Sequence, residues 1–339
     1  MKGWKIVKPF ALEQCEIAES VEQSASLSKV KITKALITLE DVLRFRGEGS
    51  YKNVVPCKSG IGIISETDAN LFDLEKGKHT YIDPYRACSE CYNCKNGNYE
   101  RCLDVKVAGE DFHGFLSDFT SVATNKLFTL PTSVSDFDAL FIQHVSLALS
   151  LFDKLDIQKG DYVAVIGGNN FANIFAQLLI YYQAVPILLS PDEEDCEIAK
   201  ASGIYYVLGN KDNWQKEVTA ITSGRMTNKI AFISESDVPI SKALLLASNN
   251  AVMAFTGVSC KTATFPYAQA VKKQISMLFV NNGSGQAAAA INLIANKAIN
   301  LSHLKLDVAS YDKIPEVFEK MSSILDTKGK VYETVVDMI

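Results

Sequence analysis

Cys88-Ser-Glu-Cys91-Tyr-Asn-Cys94, followed by Cys102, gathers half of the chain's eight cysteines into one short stretch. Four thiolates at about 2.3 Å from one ion suit Zn²⁺. A site with four protein ligands has no open position for a substrate, so its role is to hold a loop in shape. Gly97, between Asn96 and Asn98, supplies the turn that wraps the fourth ligand back. The competing reading, two disulfides, needs an oxidising compartment, and Met1-Lys2-Gly3-Trp4-Lys5 lacks the long apolar core of a secretory signal. The expected metal is therefore one structural zinc per chain on Cys88, Cys91, Cys94 and Cys102. Arg86, Lys95 and Arg101 are cations close in sequence that would favour such an anionic centre.

The elements that must carry this lobe change character along the chain. Before residue 130, short alternating or β-branched runs at 29–37, 60–65, 78–82 and 116–130 are broken by Gly, Pro and Asn, the pattern of strands and turns. From Asp136, an apolar-faced helix is expected to run unbroken through 137–141 to Leu155. Six apolar runs then follow, at 162–166, 186–189, 205–208, 229–233, 251–255 and 275–280, most of them separated by helical segments. Parallel strands need crossover helices and are covered on both faces, so this alternation predicts a doubly wound parallel sheet. A helix near 314–324 and a strand near 331–336 close the chain.

With 339 residues the chain can build two cores. Its 47% hydrophobic and 22% charged content is that of a soluble globular protein. A net charge of −5 without any Lys/Arg run speaks against a nucleic-acid or anionic-membrane binder. The longest apolar stretch, 171–189, is interrupted by Asn173, Gln177, Gln183 and Pro186, and reads as a buried helix followed by a buried strand. A cytoplasmic location is expected.

A cysteine lobe after a β-rich start, then a mononucleotide-binding sheet, then a short return segment resembles the zinc-containing medium-chain dehydrogenase/reductases, such as alcohol, sorbitol and threonine dehydrogenases. The likeness spans nearly the whole chain. It includes Asp41 with Arg46-Gly47, Gly60-Ile61-Gly62-Ile63-Ile64, Asp83-Pro84-Tyr85, Gly160-Asp161-Tyr162-Val163-Ala164-Val165-Ile166-Gly167 and Glu197-Ile198-Ala199-Lys200-Ala201-Ser202-Gly203. The resemblance implies an α/β protein with a GroES-like domain over 1–148 and a Rossmann-type domain over 149–288, with 289–339 returning to the first. It also implies a homo-oligomer with a small-molecule ligand in the interdomain cleft.

In that family a second zinc polarises the substrate oxygen while hydride passes to or from nicotinamide. Its ligand positions fall here on Thr38, Lys58, Ser59 and Gln143, none of which is a good zinc ligand. Cys57 and His144 flank them as components of a rearranged site. The dinucleotide fingerprint is altered in parallel. Gly167 stands and Ala172 is acceptable, but Asn169 replaces the glycine that lets the backbone approach a pyrophosphate, and Ser190 replaces the acid that reads the ribose. Asp192 is the nearest substitute for that acid. Three readings follow. The first is a family member that keeps the structural zinc and is non-catalytic or repurposed. In the second, an NAD(P)H-dependent oxidoreductase works without a catalytic zinc and uses Lys58 as electrophile. The third is an ordinary alcohol or polyol dehydrogenase with a rearranged metal site.

Overall fold

The computed structural model describes residues 1–17, 26–48, 52–68, 74–233, 238–257, 264–327 and 329–338. They form two compact units, one of residues 1–143 with 305–339 and the other of residues 144–304.

In the first unit a mostly antiparallel sheet is organised on the long strand Leu27–Ile37. One edge of that strand pairs with Ser59–Thr67. The other is shared between Phe119–Ala123 on its first half and Glu333–Asp337 on its second. Thr334 faces Ile37 and Val336 faces Ala35, so the C-terminal segment is a full member of this sheet. Val30 and Ile32 are buried while Lys31 between them is exposed, the alternation of a strand with one covered face. Helix Ile314–Asp326 covers the sheet's C-terminal side, burying Ile314, Phe318 and Met321 in one cluster with Val42 and Phe45. Burying a side chain of this size contributes about 2 kcal/mol, so helix and sheet hold each other through that cluster.

The second unit is a six-stranded sheet in which every neighbouring pair is parallel. Its order across the sheet is Tyr206–Leu208, Val185–Leu189, Tyr162–Ile166, Thr227–Ile233, Ala247–Thr256 and Ser276–Val280. In chain order that is 3-2-1-4-5-6, the doubly wound arrangement whose direction reverses beside the first strand. All six sequence runs fall on these strands to within one residue, those at 205–208 and 275–280 starting one residue early. The 171–189 stretch divides into helix Asn170–Tyr181 and strand Val185–Leu189. No helix among the described residues is long and apolar enough to cross a membrane.

Two expectations need correction. The helix expected across 137–155 is broken into Asp136–Ala139 and Ile142–Leu155. At the break, the Ser59 hydroxyl donates to the Leu140 carbonyl oxygen at 2.5 Å. The unit boundaries fall after 143 and 304, in place of 148 and 288. Helix Ala287–Ala295 stays with the parallel sheet. The chain beyond it is tied there by Gln177, whose buried amide donates to the Asn300 carbonyl at 2.9 Å and accepts the Asn300 N–H at 2.6 Å. A buried amide satisfied on both sides is costly to remove, and it fixes residue 300 against helix Asn170–Tyr181.

Candidate functional site

The cysteine lobe is built from a single helical turn, Tyr92–Lys95, and a 3-10 turn, Tyr99–Arg101. The sulfurs of Cys88, Cys91, Cys94 and Cys102 all lie within 4.8 Å of one another, and those of Cys88 and Cys94 are 3.9 Å apart. A tetrahedron with bonds of about 2.3 Å has edges of about 3.8 Å, so this spacing fits zinc. Backbone N–H groups support the sulfurs of Cys88 and Cys102 as anions. Cys88 N–H donates to the Cys102 sulfur at 3.2 Å, Cys91 N–H to that of Cys88 at 3.4 Å, and Asp104 N–H to that of Cys102 at 3.4 Å. The N–H groups of Leu103 and then Cys94 help to pull the Cys91 thiol down to about 6. Bound here, zinc would cross-link the lobe and supply no chemistry. Of the three nearby cations, Arg86 is engaged elsewhere, its guanidinium 3.6 Å from the centre of the Phe112 ring.

The residues expected around a second metal are all committed within the first unit. Thr38 caps helix Leu39–Phe45, and the Asp41 carboxylate accepts both its N–H (2.9 Å) and its hydroxyl (3.0 Å). The other Asp41 oxygen accepts the Cys57 N–H at 2.9 Å, which ties the strand entry to the helix. One residue on, Lys58 forms an ion pair with Glu40. Glu40 also pairs with Arg44 at 2.6 Å, and Arg44 with Glu110 at 2.9 Å. The result is a chain of alternating charge whose first three members are mostly enclosed, the Lys58, Glu40 and Arg44 side chains being 15%, 14% and 9% exposed. Ser59 is bonded to Leu140, and Gln143 donates to the Tyr85 hydroxyl at 3.0 Å.

Burial alone would pull the Lys58 ammonium down, but the Glu40 carboxylate outweighs it and holds the lysine above its ordinary value. Glu40 in turn is held below the usual carboxylate range, the attraction of Lys58 and Arg44 exceeding the cost of burial. Thr38, Lys58, Ser59 and Gln143 thus present a hydroxyl, an ammonium, a second hydroxyl and an amide, a donor set that does not suit zinc. Cys57 does not repair it. Burial, with Asp41 nearby, pushes its thiol well up. Its backbone is at φ 71 and wedged in place, since a side-chain carbon on Gly114 would lie 2.2 Å from the Cys57 carbonyl oxygen. His144 belongs to the second unit, its ring centroid 6.4 Å from that of Phe171.

Sequence reasoning missed Glu40, Arg44 and Glu110. Glu40 and Arg44 carry a local signal, four apart on one helix face. Glu110, distant along the chain, carries none.

The glycine loop sits where the parallel sheet reverses direction. Gly167 adopts φ 139, which favours glycine. A side-chain carbon on Gly168 would lie 1.9 Å from an Asp195 carboxylate oxygen, so that glycine admits the carboxylate. The Asn169 side chain accepts the Ala172 N–H at 2.9 Å and caps helix Asn170–Tyr181, taking one of the free donors a phosphate would use. Ser190 is buried and donates to Asp195 at 2.9 Å. Asp192 caps helix Glu193–Ala201 by accepting the Asp195 N–H at 3.1 Å. The acid brought to the glycine loop is therefore Asp195, on the first turn of that helix. A carboxylate beside the glycine loop suits a ribose diol and opposes a 2′-phosphate.

An antiparallel unit closed by the C-terminal strand, joined to a doubly wound parallel sheet with a glycine turn at its switch point, defines the GroES-like plus Rossmann class of α/β proteins. Residues 25–132 match the Alcohol dehydrogenase GroES-like domain. An uncharacterized zinc-type alcohol dehydrogenase-like protein of Haemophilus influenzae is 24% identical over 264 residues, covering 77% of each chain. The sorbitol dehydrogenase of Halalkalibacterium halodurans is 24% identical over 299 residues, 84% of this chain and 86% of its own. Among solved structures, the short chain alcohol dehydrogenase (rspB) of Escherichia coli CFT073 complexed with NADH superposes with a TM-score of 0.85 at 21% identity, covering 100% of this chain and 99% of its own. Galactitol-1-phosphate dehydrogenase from Escherichia coli gives 0.84 at 16% identity, with 100% of both chains covered. Residues 25–132 are thus an alcohol dehydrogenase GroES-like domain, and the whole chain has the fold of, and is similar in sequence to, the zinc-type oxidoreductase family of alcohol and polyol dehydrogenases.

Proposed function

We propose that this chain is a repurposed member of that oxidoreductase family, with one structural zinc and an internal ion pair in place of the catalytic metal. The observation that carries the reading is the Lys58–Glu40 pair, which puts a retained positive charge at a family ligand position. A divalent cation there would meet an ammonium, and displacing it would leave Glu40 to be re-paired. The cysteine lobe has what a structural ion needs. Chemistry specific to a second zinc is absent from this reading, and architecture is kept.

A second reading is favoured by the same charge. An ammonium held protonated can donate to a substrate carbonyl oxygen, so Lys58 is an electrophile candidate for a zinc-independent reduction by NAD(P)H. Asp195 supports NADH over NADPH as its donor, because its carboxylate repels a 2′-phosphate. Asn169 weakens either one by taking the Ala172 N–H.

Metal analysis with dinucleotide titration tests both parts. The purified chain is expected to carry one zinc, to bind NADH more tightly than NADPH, and to gain about fivefold in NADH affinity on Asn169→Gly, at a cost of only a few tenths of a kcal/mol in stability. Two zinc ions per chain would overturn the metal reading. Preference for NADPH would overturn the role of Asp195.

Assembly of like chains through the parallel sheet is supported by its outer strand, Ser276–Val280. No described strand pairs with its far edge, and Phe279 is 73% exposed. Sedimentation is expected to return a dimer or larger. A monomer at all concentrations would count against it.

A further inference from the structure

Neighbouring side chains on the loop at 110–114 turn to different tasks. Glu110 pairs with Arg44, as described, and Asp111 with Lys52 at 2.5 Å. Asp111, Phe112 and His113 also line a cavity of about 300 Å³, with Lys5, Arg86 and Ser121 among its other walls. Glu40, Arg44, Lys58 and the four cysteines do not line it, so it is separate from both sites described above.

What faces this cavity is rich in donors. His113 Nδ1 accepts the Val55 N–H at 3.1 Å, so the neutral ring carries its proton on Nε2. Burial, then the charge of Lys5, pulls the His113 pKa down, which favours that neutral form and places Lys5 beside it. Lys5 makes no ion pair with a described residue. Asp111, the one acid among the described wall residues, is already occupied: Lys52 takes one oxygen and the Val107 N–H the other, at 2.9 Å. Arg86 has its plane fixed by stacking on Phe112. Ser121 is 9% exposed, and its hydroxyl bonds to no described residue.

We propose that this cavity binds a small phosphate-bearing molecule, its phosphate oxygens held by Lys5, Arg86 and the Nε2–H of His113, with the Ser121 hydroxyl donating alongside. Ammonium and guanidinium have no acceptor capacity, so a cationic ligand would face only repulsion from them. A carboxylate offers two oxygens in one plane, whereas a tetrahedral oxyanion accepts donors arriving from several walls at once. The volume is at the small end of ligand pockets, matching a phosphomonoester and not a dinucleotide.

The test is calorimetric titration of the full zinc-loaded chain with inorganic phosphate, and separately with acetate and with glycerol 3-phosphate. Ionic strength is held constant with chloride near neutral pH. Saturable binding of phosphate and its monoester at one site per chain is expected, at least about tenfold tighter than acetate. Lys5→Met should weaken it by at least about tenfold, corresponding to loss of one charge-assisted contact. Ser121→Ala, a smaller change that should leave the fold intact, should weaken it about threefold, and it decides the matter if Lys5→Met does not fold. No saturable phosphate binding, equal affinity for acetate, or an affinity unchanged in both variants would overturn the proposal.

Discussion

Cys94→Ser is expected to empty the chain of zinc and to open the cysteine lobe to protease, with trypsin cleaving after Lys95 or Arg101 at least about tenfold faster than in the parent. Between residues 86 and 107, Cys94 is the one buried residue among those described. Tyr92, Tyr99 and Leu103, the large side chains that could have formed a local core, are 77%, 55% and 76% exposed. Secondary structure adds little, because a four-residue helix is far below the length at which a helix sustains itself. Hydrophobic burial therefore cannot hold this segment, and the cross-link through the four sulfurs must. A serine hydroxyl is a poor zinc ligand beside a thiolate, and the loss of one ligand from a four-ligand site removes the closure that makes it structural. Since few contacts tie the lobe to either main sheet, the melting temperature should move much less than the cleavage rate. Metal analysis and timed proteolysis read the two effects separately. Full zinc content and an unchanged cleavage rate would mean that the lobe is held by something else.

The features legible in the sequence were those whose determinants lie close together along the chain. All four sulfurs come from one short segment, so spacing alone gave the site. The six parallel strands, of which the inner ones are buried on both faces, read as apolar runs bounded by polar interruptions. The break at Leu140 was not legible, because the hydroxyl that accompanies it comes from Ser59, on a strand far earlier in the chain. The same holds for Glu110 against Arg44 and for Asn300 against Gln177. Asp195 is a subtler miss. It lies five residues after Ser190, near enough to be found, but counting from the strand end points to Ser190 and the next acid, Asp192, whose carboxylate is used to cap the helix. The helix turn that follows brings Asp195 back under Gly168. Glu40 was within reach as the partner of Arg44, four residues on. That Lys58 would also meet it depends on two elements packing together, and no local pattern encodes such a meeting.

Lys58→Met is expected to destabilise the chain by about 3 kcal/mol near neutral pH, because it leaves Glu40 enclosed with one cation in place of two. Its dependence on pH separates charge from packing. In the parent, the Glu40 carboxyl lies below its unfolded value of 4.5, so the pair's contribution is present above that value and is lost as pH falls through the lowered one. Without Lys58, burial is opposed mainly by Arg44 and the Glu40 carboxyl moves up. The variant then gains relative to the parent as acid neutralises Glu40, and the difference between the two should close below the carboxylate range. Adding Glu40→Gln to Lys58→Met removes the stranded charge, so the double variant should lose less than the sum of the two single changes. Urea unfolding at neutral and at acid pH measures each of these. A penalty of equal size at both, with additive single changes, would mean that the lysine acts through its aliphatic stem. A pair that couples and titrates in this way already neutralises its own charge within the fold. A substrate oxygen entering that position must compete with Glu40 for Lys58, whereas a metal ion must displace Lys58 from Glu40, and the strength of the coupling sets how much binding energy either competition requires.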